Sequence, residues 1–299
     1  MDSTEVNQRW QQSQQQSRLA RLPRWVSWRV KKKVALWSGR ARKDETKLFW
    51  GQPMTIVYPE YVSGLIGKHG YFEEDLTTVL LENIKPGMVV YDVGAHFGFY
   101  SLLASELVGD AGHVYSFEPT KRTYDVLAEN AGRCDNITAS NIAAFSETCE
   151  ISFWDQGLSS SSLNFIVADE SQVNPDYIKQ GGKVTVPAVK LDEFAIDNRD
   201  PDFLKVDAEG AEGPILHGMQ DIITRSFPAI TLECGDDVNE RTGNNPCREN
   251  VQFLLDHGYE AFDYRSGQEV RHELTERYGV ANILFRHPQW RFVQQQRAA

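Results

Sequence analysis

The chain has 299 residues, of which 41% are hydrophobic and 24% charged, and its formal net charge is −11 at pH 7. These values predict a globular protein with a sizeable core and argue against a general nucleic-acid binder. The sequence has no apolar run of about 18 residues that would span a membrane, and its polar start does not resemble a signal peptide. The four cysteines lack C-x-x-C pairing and histidines at zinc spacing, which favours reduced thiols and a cytoplasmic location.

The charge is unevenly distributed. Residues 1–50 contain twelve Lys or Arg and four Asp or Glu, a balance of +8, whereas the rest contains 19 and 38, a balance of −19. We therefore expect a basic, Trp-containing extension over residues 1–47, one α/β domain over residues 48–290 and a tail over residues 291–299. Residues 1–17 are rich in Gln and are expected to be disordered.

The extension also contains a predicted helix, WVSWRVKKKVALW, which follows Pro23 and places four apolar residues on one stripe: Val26, Val30, Val34 and Trp37. Two interpretations are open. The stripe can pack on the domain or on a second subunit in a homo-oligomer, which we favour because exposed tryptophans are costly. Alternatively, residues 18–43 contact a membrane surface or an anionic substrate, giving a peripheral membrane association.

Beyond the extension, strands alternate with helices, which predicts a doubly wound, Rossmann-like α/β fold with helices on both faces of a mostly parallel sheet. A Ser-rich loop, residues 159–162, is either a flexible linker or a substrate lid. In chain order, the predicted elements are strand 55–58, helix 73–83, strand 89–93, helix 97–107, strand 113–117, helix 120–131, strand 136–142, strand 149–154, strand 203–206, strand 229–233, helix 250–257 and an antiparallel pair, 259–264 and 281–286.

The turn after strand 89–93 is the first functional motif. Asp92 lies at the strand end, and Gly94 and Gly98 allow a sharp turn and a close approach to a ligand. A second strand ends at Glu118, in position to bind a ribose. Dinucleotide sites need G-x-G-x-x-G, and Asp92 would repel a pyrophosphate, so the motif favours S-adenosylmethionine over NAD. The alternative is an ordinary turn without a cofactor.

The second motif lies at residues 202–212. A short strand containing Lys205 ends at Asp207, and Glu209 follows in the turn; the next strand ends at Glu233. Parallel strands present their carboxyl ends at one sheet edge, so these acids should meet Asp92 there. They suit general-base or hydrogen-bonding roles, and Asp207 with Glu233 also admits a divalent metal ion.

Taken together, these segments resemble the FkbM family of S-adenosylmethionine-dependent methyltransferases over roughly residues 70–235. The matching pieces, in order, are Gly70-Tyr71-Phe72-Glu73, Asp92-Val93-Gly94-Ala95-His96-Phe97-Gly98, Phe117-Glu118-Pro119, Leu127, Asn130, Leu191-Asp192-Glu193-Phe194, residues 204–212 and residues 228–233. The resemblance implies the class I methyltransferase fold, a seven-stranded, mostly parallel sheet with an antiparallel last strand. It also implies O-methylation of a hydroxyl on a sugar, glycan or secondary metabolite, a small-molecule or glycan acceptor. The basic extension is not part of the family pattern.

Residue roles follow from the motifs and the resemblance. Asp207 or His96 is the expected general base, and Glu209 or Glu233 would position the acceptor. Lys205 faces either Asp207 or the site. Expected cofactor contacts are Asp92 and Gly94 at the amino-acid end, Glu118 on the ribose, Asn141 or Ile142 near the adenine by fold analogy, and Tyr71, Glu73, Ala95, His96, Gly98, Pro119 and Asp207.

Two other functions remain open. A nucleic-acid methyltransferase could use the basic extension, but the domain is acidic and has neither Asn-Pro-Pro-Tyr nor Asp-Pro-Pro-Tyr. A noncatalytic binding protein could retain the fold. The noncatalytic hypothesis is less favoured because Gly94 and Gly98 and the acids Asp92 and Glu118 are all present.

Overall fold

A computed structural model of the chain describes residues 3–15, 18–167, 181–237, 240, 246–265 and 267–290. The predicted tail, residues 291–299, lies outside this range. The helices are α1 (Ser3–Gln15), α2 (Arg18–Ser38), α3 (Tyr61–His69), α4 (Glu74–Asn83), α5 (Phe99–Val108), α6 (Lys121–Ala131), α7 (Leu191–Phe194), α8 (Glu212–His217), α9 (Gln220–Arg225) and α10 (Cys247–Asp256). The strands are β1 (Arg42–Lys47), β2 (Pro53–Tyr58), β3 (Val89–Val93), β4 (His113–Phe117), β5 (Ile137–Ser140), β6 (Ala143–Phe145), β7 (Cys149–Asp155), β8 (Phe165–Ile166), β9 (Gly182–Lys190), β10 (Phe203–Val206), β11 (Ala229–Cys234), β12 (Glu260–Arg265), β13 (Gln268–Arg271) and β14 (Ala281–Arg286).

The main sheet has the strand order β13-β12-β14-β11-β10-β3-β4-β5. Strands β5, β4, β3, β10 and β11 are parallel, and the last strand, β14, runs antiparallel to β11 and β12. This arrangement confirms the predicted class I methyltransferase fold and the closing antiparallel pair. One strand of this sheet was not predicted: β13, which is fully exposed and extends the edge beyond β12. Outside this sheet, β1, β6, β8 and β9 were not predicted either.

The centre of the sheet is buried on both faces. All five residues of β3 and all four of β10 are buried, as expected for apolar strands covered by helices on each side. The chain reverses its direction of winding between these two strands, because β4 and β5 lie on one side of β3 while β10 and β11 lie on the other. In such sheets, ligands bind at this point, outside the carboxyl ends of the strands.

A second sheet, in the order β6-β9-β7-β8, covers part of this edge. Strand β7 confirms the strand predicted at residues 149–154, and it pairs antiparallel with both β8 and β9. The Ser-rich segment ends in a short 3-10 turn, Ser161–Leu163. Ser161, Ser162 and Leu163 lie at the sheet edge where the ligand is expected.

The prediction of disorder for residues 1–17 is wrong over Ser3–Gln15, which form α1. The reason is an apolar pair that the Gln-rich composition conceals: Val6 and Trp10 are buried in the same core as Trp50. The Trp10 ring lies 4.9 Å from that of Phe49. The predicted boundary after residue 47 also falls inside a hairpin, because β1 pairs with β2.

Helix α2 includes the predicted segment but begins earlier, at Arg18, and contains Pro23. The prediction that its Val26, Val30, Val34 and Trp37 stripe packs on the domain is wrong: all four are exposed, Trp37 by 91%. The opposite face packs instead, with Ala35 buried and the Trp28 ring beside Gly64 of α3. Trp28 and Ala35 are seven residues apart, which gives the helix a second apolar line. Among the described helices, none has the length and apolarity needed to cross a membrane.

Candidate active site

A cavity of about 650 Å³ lies at the carboxyl ends of β3, β4, β10 and β11. This volume is in the range of small-molecule sites. Helix α3, strand β7 and the Ser161–Leu163 turn close its other sides. The predicted site residues that line it are Glu73, Gly94, Ala95, His96, Glu118, Pro119, Lys205, Asp207, Glu209 and Glu233.

Strained backbone is concentrated around this cavity. Four described residues other than glycine have a positive φ, and three of them line the cavity: Glu73 (41°), His96 (52°) and Glu209 (49°). Side chains adopt this conformation at a cost, and it persists where the surrounding structure enforces it, commonly at functional sites. The backbone therefore points to the same location as the acidic motifs.

Gly94 joins the two motifs. Its φ is 74°, and a Cβ atom built there would lie 1.7 Å from the backbone oxygen of Asp207. The Asp207 backbone N–H donates to the Val93 carbonyl over 3.2 Å, and the Gly94 N–H donates to the Phe117 carbonyl over 3.1 Å. The ends of β3, β4 and β10 are thus in direct contact, and only glycine fits between them.

A buried ion pair network lies beneath this contact. The Lys205 ammonium is 3.0 Å from Asp207 Oδ2 and 3.6 Å from Asp92 Oδ1, and it lies 5.2 Å from the centre of the Tyr100 ring. Burial would lower the pKa of Lys205, but the carboxylates of Asp207 and Asp92 outweigh it and keep the ammonium protonated. Lys205 therefore faces Asp207, one of the two orientations expected from the sequence.

The expected direct contact between Asp92 and the cofactor is not supported. Asp92 is 1% exposed and is absent from the cavity lining, and its Oδ2 accepts a hydrogen bond of 2.6 Å from Ser101 Oγ. The side chain points into the packing between β3 and α5 because Lys205, on the neighbouring strand, attracts its other oxygen. Asp92 therefore influences the cavity from below, through its ion pair with Lys205 and its charge near Tyr100.

Three carboxylates meet at the end of β10 and β11. Oxygen atoms of Asp207, Glu209 and Glu233 lie within 4.8 Å of one another. Burial would raise the pKa of Asp207, but Lys205 and a hydrogen bond from Glu233 lower it below its usual value. Burial, followed by the charge of Asp207, raises the pKa values of Glu233 and Glu209. Asp207 is therefore the member of the cluster that ionises most readily, while Glu209 and Glu233 hold their protons more tightly than an ordinary glutamate does.

This cluster can do two kinds of chemistry. Three converging carboxylates offer the oxygen ligands that a divalent metal ion prefers, which keeps the predicted metal site open. Without a metal, an ionised carboxylate beside two protonated ones can take a proton from a hydroxyl while its neighbours donate hydrogen bonds. This second kind of chemistry requires an ionised Asp207, which its lowered pKa favours.

The second region of the cavity is formed by Glu118 and His96. Glu118 Oε2 accepts from the His96 backbone N–H over 3.2 Å, and its Oε1 accepts from the Thr120 hydroxyl over 2.6 Å. Burial raises the pKa of Glu118 to about 7. Burial also lowers the pKa of His96, whose Nε2 lies 2.8 Å from Ser161 Oγ. His96 is therefore neutral at pH 7 and connects the glycine turn to the Ser-rich segment.

Tyr71 and Gly98, which were expected to contact the cofactor, have packing roles instead. Neither Tyr71 nor Gly98 lines the cavity. The Tyr71 ring packs against that of Trp10 with 4.9 Å between their centres. Gly98 begins α5 with a φ of 91°, and a Cβ atom there would lie 2.8 Å from Leu127 of α6. These residues hold the surrounding elements together.

The expected adenine contacts, Asn141 and Ile142, are also absent from the cavity lining. The Asn141 amide is turned away because it donates to the Glu118 and Pro119 carbonyls over 2.9 Å and 2.8 Å. Ile142 packs on the main core. The chain reaches the cavity two residues later, at Ala143 and Ala144.

The lining also contains residues to which the sequence analysis gave no role, and two of them make hydrogen bonds inside the site. Tyr100 donates its hydroxyl to Glu73 Oε2 over 2.7 Å, and Ser161 contacts His96. Tyr100 belongs to the glycine-turn segment, so its position at the start of α5 was a usable signal. Nothing distinguishes Ser161 from its serine neighbours in the sequence.

Glu212, at the start of α8, gives a prediction for stability. It is 4% exposed, and its carboxyl accepts from the Ala208 and Gly210 backbone N–H groups over 2.8 Å and 3.0 Å. Burial raises its pKa to about 7. The folded protein therefore keeps a proton that the unfolded chain loses near its ordinary pKa, so this stabilisation is present at low pH and is lost as the pH rises through 7.

We expect Glu212→Gln, which does not titrate, to be less stable than the wild type at pH 5. Between pH 5 and pH 8 the gap should narrow by up to about 3 kcal/mol, because one pKa unit corresponds to about 1.4 kcal/mol. Urea denaturation of both proteins at several pH values measures the gap, and titrating groups distant from Glu212 cancel in the difference. A gap that stays constant or widens would contradict the buried, proton-binding state of Glu212.

Comparisons with known proteins agree with this site. The family model of the methyltransferase FkbM domain matches residues 92–261. The hexuronic acid methyltransferase AglP of Haloferax volcanii is 25% identical over 174 residues, which are 57% of this chain and 66% of that protein. The chain thus spans just under two thirds of the length of that curated relative.

Two solved structures are also similar. The methyltransferase FkbM from Methylobacillus flagellatus KT has 15% identity and a TM-score of 0.43, covering 74% of this chain and 52% of that one. Aeropyrum pernix fibrillarin, solved with natively bound S-adenosyl-L-methionine, has 13% identity and a TM-score of 0.42, covering 71% and 73%. The assignment rests on the family match, which includes the glycine turn and both acidic strand ends. The chain belongs to the FkbM methyltransferase family.

Proposed function

We propose that this protein transfers the methyl group of S-adenosylmethionine to a hydroxyl group of a sugar-type acceptor. The observation that carries the proposal is the acidic cavity at the carboxyl ends of β3, β4, β10 and β11, in which Asp207 is held ionised by Lys205. Membership in a methyltransferase family supplies the reaction class. The residues that line the cavity favour S-adenosylmethionine as the cofactor and a sugar hydroxyl as the acceptor.

The lining suits a cationic cofactor. Lys205 is the single Lys or Arg among the described lining residues. Its ammonium group already forms ion pairs with Asp92 and Asp207. A dinucleotide pyrophosphate would therefore meet carboxylates without a free cation to bind it. S-adenosylmethionine carries an ammonium and a sulfonium, which those carboxylates attract, and Glu118 lies at the end of β4 where a ribose can be bound.

When bound, S-adenosylmethionine supplies an electrophilic methyl group on a sulfonium. Asp207 would accept the proton of the acceptor hydroxyl, since it is the charged member of the carboxylate cluster. Glu209 and Glu233, whose pKa values are raised by burial, would donate hydrogen bonds that orient the acceptor. Positioning of the reacting groups contributes much of the acceleration, up to about 7–11 kcal/mol in well-oriented reactions.

The acceptor is best described as a hydroxyl-bearing ring. Among the lining residues that the structure describes, Tyr61, Phe72 and Phe153 offer apolar faces, while the acids offer hydrogen-bond acceptors. Sugars present both kinds of surface. The relative from Haloferax volcanii is named for a hexuronic acid, which supports a sugar acceptor. The shortage of free cations in the lining favours a neutral sugar over one with a carboxylate.

Methyl transfer from S-adenosylmethionine labelled in its methyl group tests this proposal. Neutral pyranosides, hexuronic acid glycosides and a short RNA serve as acceptors, and mass spectrometry locates the added methyl group. We expect a methyl ether on a neutral or uronic sugar, with the neutral sugar preferred. Cofactor binding without transfer to any hydroxyl would support a noncatalytic binding protein, and transfer to RNA would support a nucleic-acid methyltransferase. Either result would overturn the proposal.

The ribose role of Glu118 gives a separate prediction. We expect Glu118→Gln to raise the Kd for S-adenosylmethionine by up to about tenfold, because one hydrogen bond contributes about 0.5–1.5 kcal/mol and about 1.4 kcal/mol corresponds to a tenfold change in Kd. Isothermal titration calorimetry measures the change. Glu276→Gln, at a side chain that is 88% exposed and pairs with Arg248 on the surface, is the control. An unchanged Kd in Glu118→Gln would refute the ribose assignment.

A further inference from the structure

The exposed face of α2 is not explained by methyl transfer. It contains Val26, Val30, Val34 and Trp37, and the neighbouring Leu36 is 59% exposed. These residues form a continuous apolar stripe, since they lie four, four and three residues apart. Soluble monomers rarely expose such a stripe, and a stripe of this kind marks an interaction surface.

The stripe is flanked by positive charge. Exposed Arg29, Lys33 and Arg40 lie beside it, and the sequence of α2 contains seven Lys or Arg and no Asp or Glu. The Arg29 guanidinium lies 4.7 Å from the centre of the Trp25 ring. Basic residues with tryptophan and aliphatic residues on one helix face are typical of helices that lie in the plane of an anionic membrane surface.

The helix is fixed to the domain with this face outward. Ala35 is buried, Trp28 packs beside Gly64, and the Lys68 ammonium of α3 lies 5.6 Å from the centre of the Trp28 ring. On the inner side, Lys31 pairs with Asp44 of β1 over 2.5 Å. The stripe is therefore presented by a helix that is itself packed on the domain.

We propose that α2 docks this protein on an anionic phospholipid surface, with the stripe in the lipid interface and its basic neighbours at the headgroups. The charge distribution supports this occupant: residues 1–50 carry a balance of +8, whereas the remaining chain carries −19 and is repelled by such a surface. A second copy of the chain fits less well, because packing two stripes together would bring the two sets of basic residues side by side. Helix α3 packs against α2 and also lines the cavity, so the docked helix and the cavity are separated by one helix.

Liposome sedimentation with the full chain tests the docking. We expect at least tenfold stronger binding to vesicles of phosphatidylcholine and phosphatidylglycerol (3:1) than to phosphatidylcholine alone, and weaker binding at 500 mM than at 50 mM NaCl. Val30→Ser with Trp37→Ser should lower the binding at least tenfold. Arg29→Gln, Lys33→Gln and Arg40→Gln together should do the same. All these side chains are exposed, so the fold should be retained, as circular dichroism can verify.

Matched controls come from exposed positions elsewhere. Ile196→Ser removes an apolar side chain that is 80% exposed, and Lys121→Gln, Arg265→Gln and Arg271→Gln together remove the same number of charges; both should bind as the wild type does. Absence of binding to phosphatidylglycerol vesicles would overturn the proposal. So would a stripe variant that binds normally, or one that converts a dimer to a monomer without loss of lipid binding.

Discussion

Asp207→Asn is expected to lower kcat for methyl transfer by about 10²–10⁴-fold, which is the usual contribution of a general base. The substitution keeps the size of the side chain but removes the charge that Lys205 holds 3.0 Å away. It also removes the proton acceptor from the carboxylate cluster. Because Lys205 holds the pKa of Asp207 below its usual value, the base stays ionised throughout the neutral range, and titration of Asp207 should not change the wild-type kcat between about pH 6 and pH 8.

Cofactor binding and catalysis are measured separately. The Kd for S-adenosylmethionine, measured by calorimetry, should change less than about fivefold in Asp207→Asn, a difference of about 1 kcal/mol. Asp200→Asn, which disrupts a surface pair with Arg225, is the control and should keep full activity. His96→Gln tests the other candidate base and should lower kcat less than Asp207→Asn does. A larger loss in His96→Gln would move the base to the glycine turn.

Gly94→Ala is expected to abolish measurable binding of S-adenosylmethionine and to destabilise the fold. The new Cβ atom would lie 1.7 Å from the Asp207 carbonyl oxygen, a backbone atom that cannot rotate away. The ends of β3 and β10 must then separate, which displaces the carboxylates of the cavity. We expect a loss of about 2–4 kcal/mol in the free energy of unfolding, from overpacking together with the strained φ.

Gly109→Ala is the matched control for Gly94→Ala. Gly109 also has a positive φ, 61°, but no atom lies within 4 Å of a Cβ atom built there. Its ψ of −167° places it in a region that is essentially restricted to glycine. Gly109→Ala should therefore lose only this conformational component, about 1–3 kcal/mol, and should bind the cofactor normally. Urea denaturation and calorimetry measure both variants. Equal destabilisation of the two proteins would contradict the contact between the glycine turn and β10.

The sheet could be predicted from the sequence because its strands are apolar runs bounded by turn residues. Val89–Val93 and Ala229–Cys234 are examples, and their acidic ends located the cavity correctly. Strand β13, all four residues of which are exposed, has no such pattern, and its pairing depends on the neighbouring β12. Helix α1 escaped prediction because one valine and one tryptophan anchor an otherwise polar segment.

At the site, the directions of individual side chains could not be predicted from the sequence. Asp92 and Asp207 both lie at strand ends, but one points into the core and the other into the cavity, because Lys205 lies between them. Asn141 has the polarity of a ligand contact, yet the backbone of Glu118 occupies its amide. Such choices depend on partners brought from other strands, which spacing along one segment does not reveal.

Calorimetric titration of the protein with S-adenosylmethionine and, separately, with NAD shows which cofactor the acidic cavity binds. We expect saturable binding of S-adenosylmethionine at one site, weakened in Glu118→Gln and lost in Gly94→Ala, and no binding of NAD. Binding of NAD, or of neither compound, would contradict the assignment of this acidic cavity to a methyl donor.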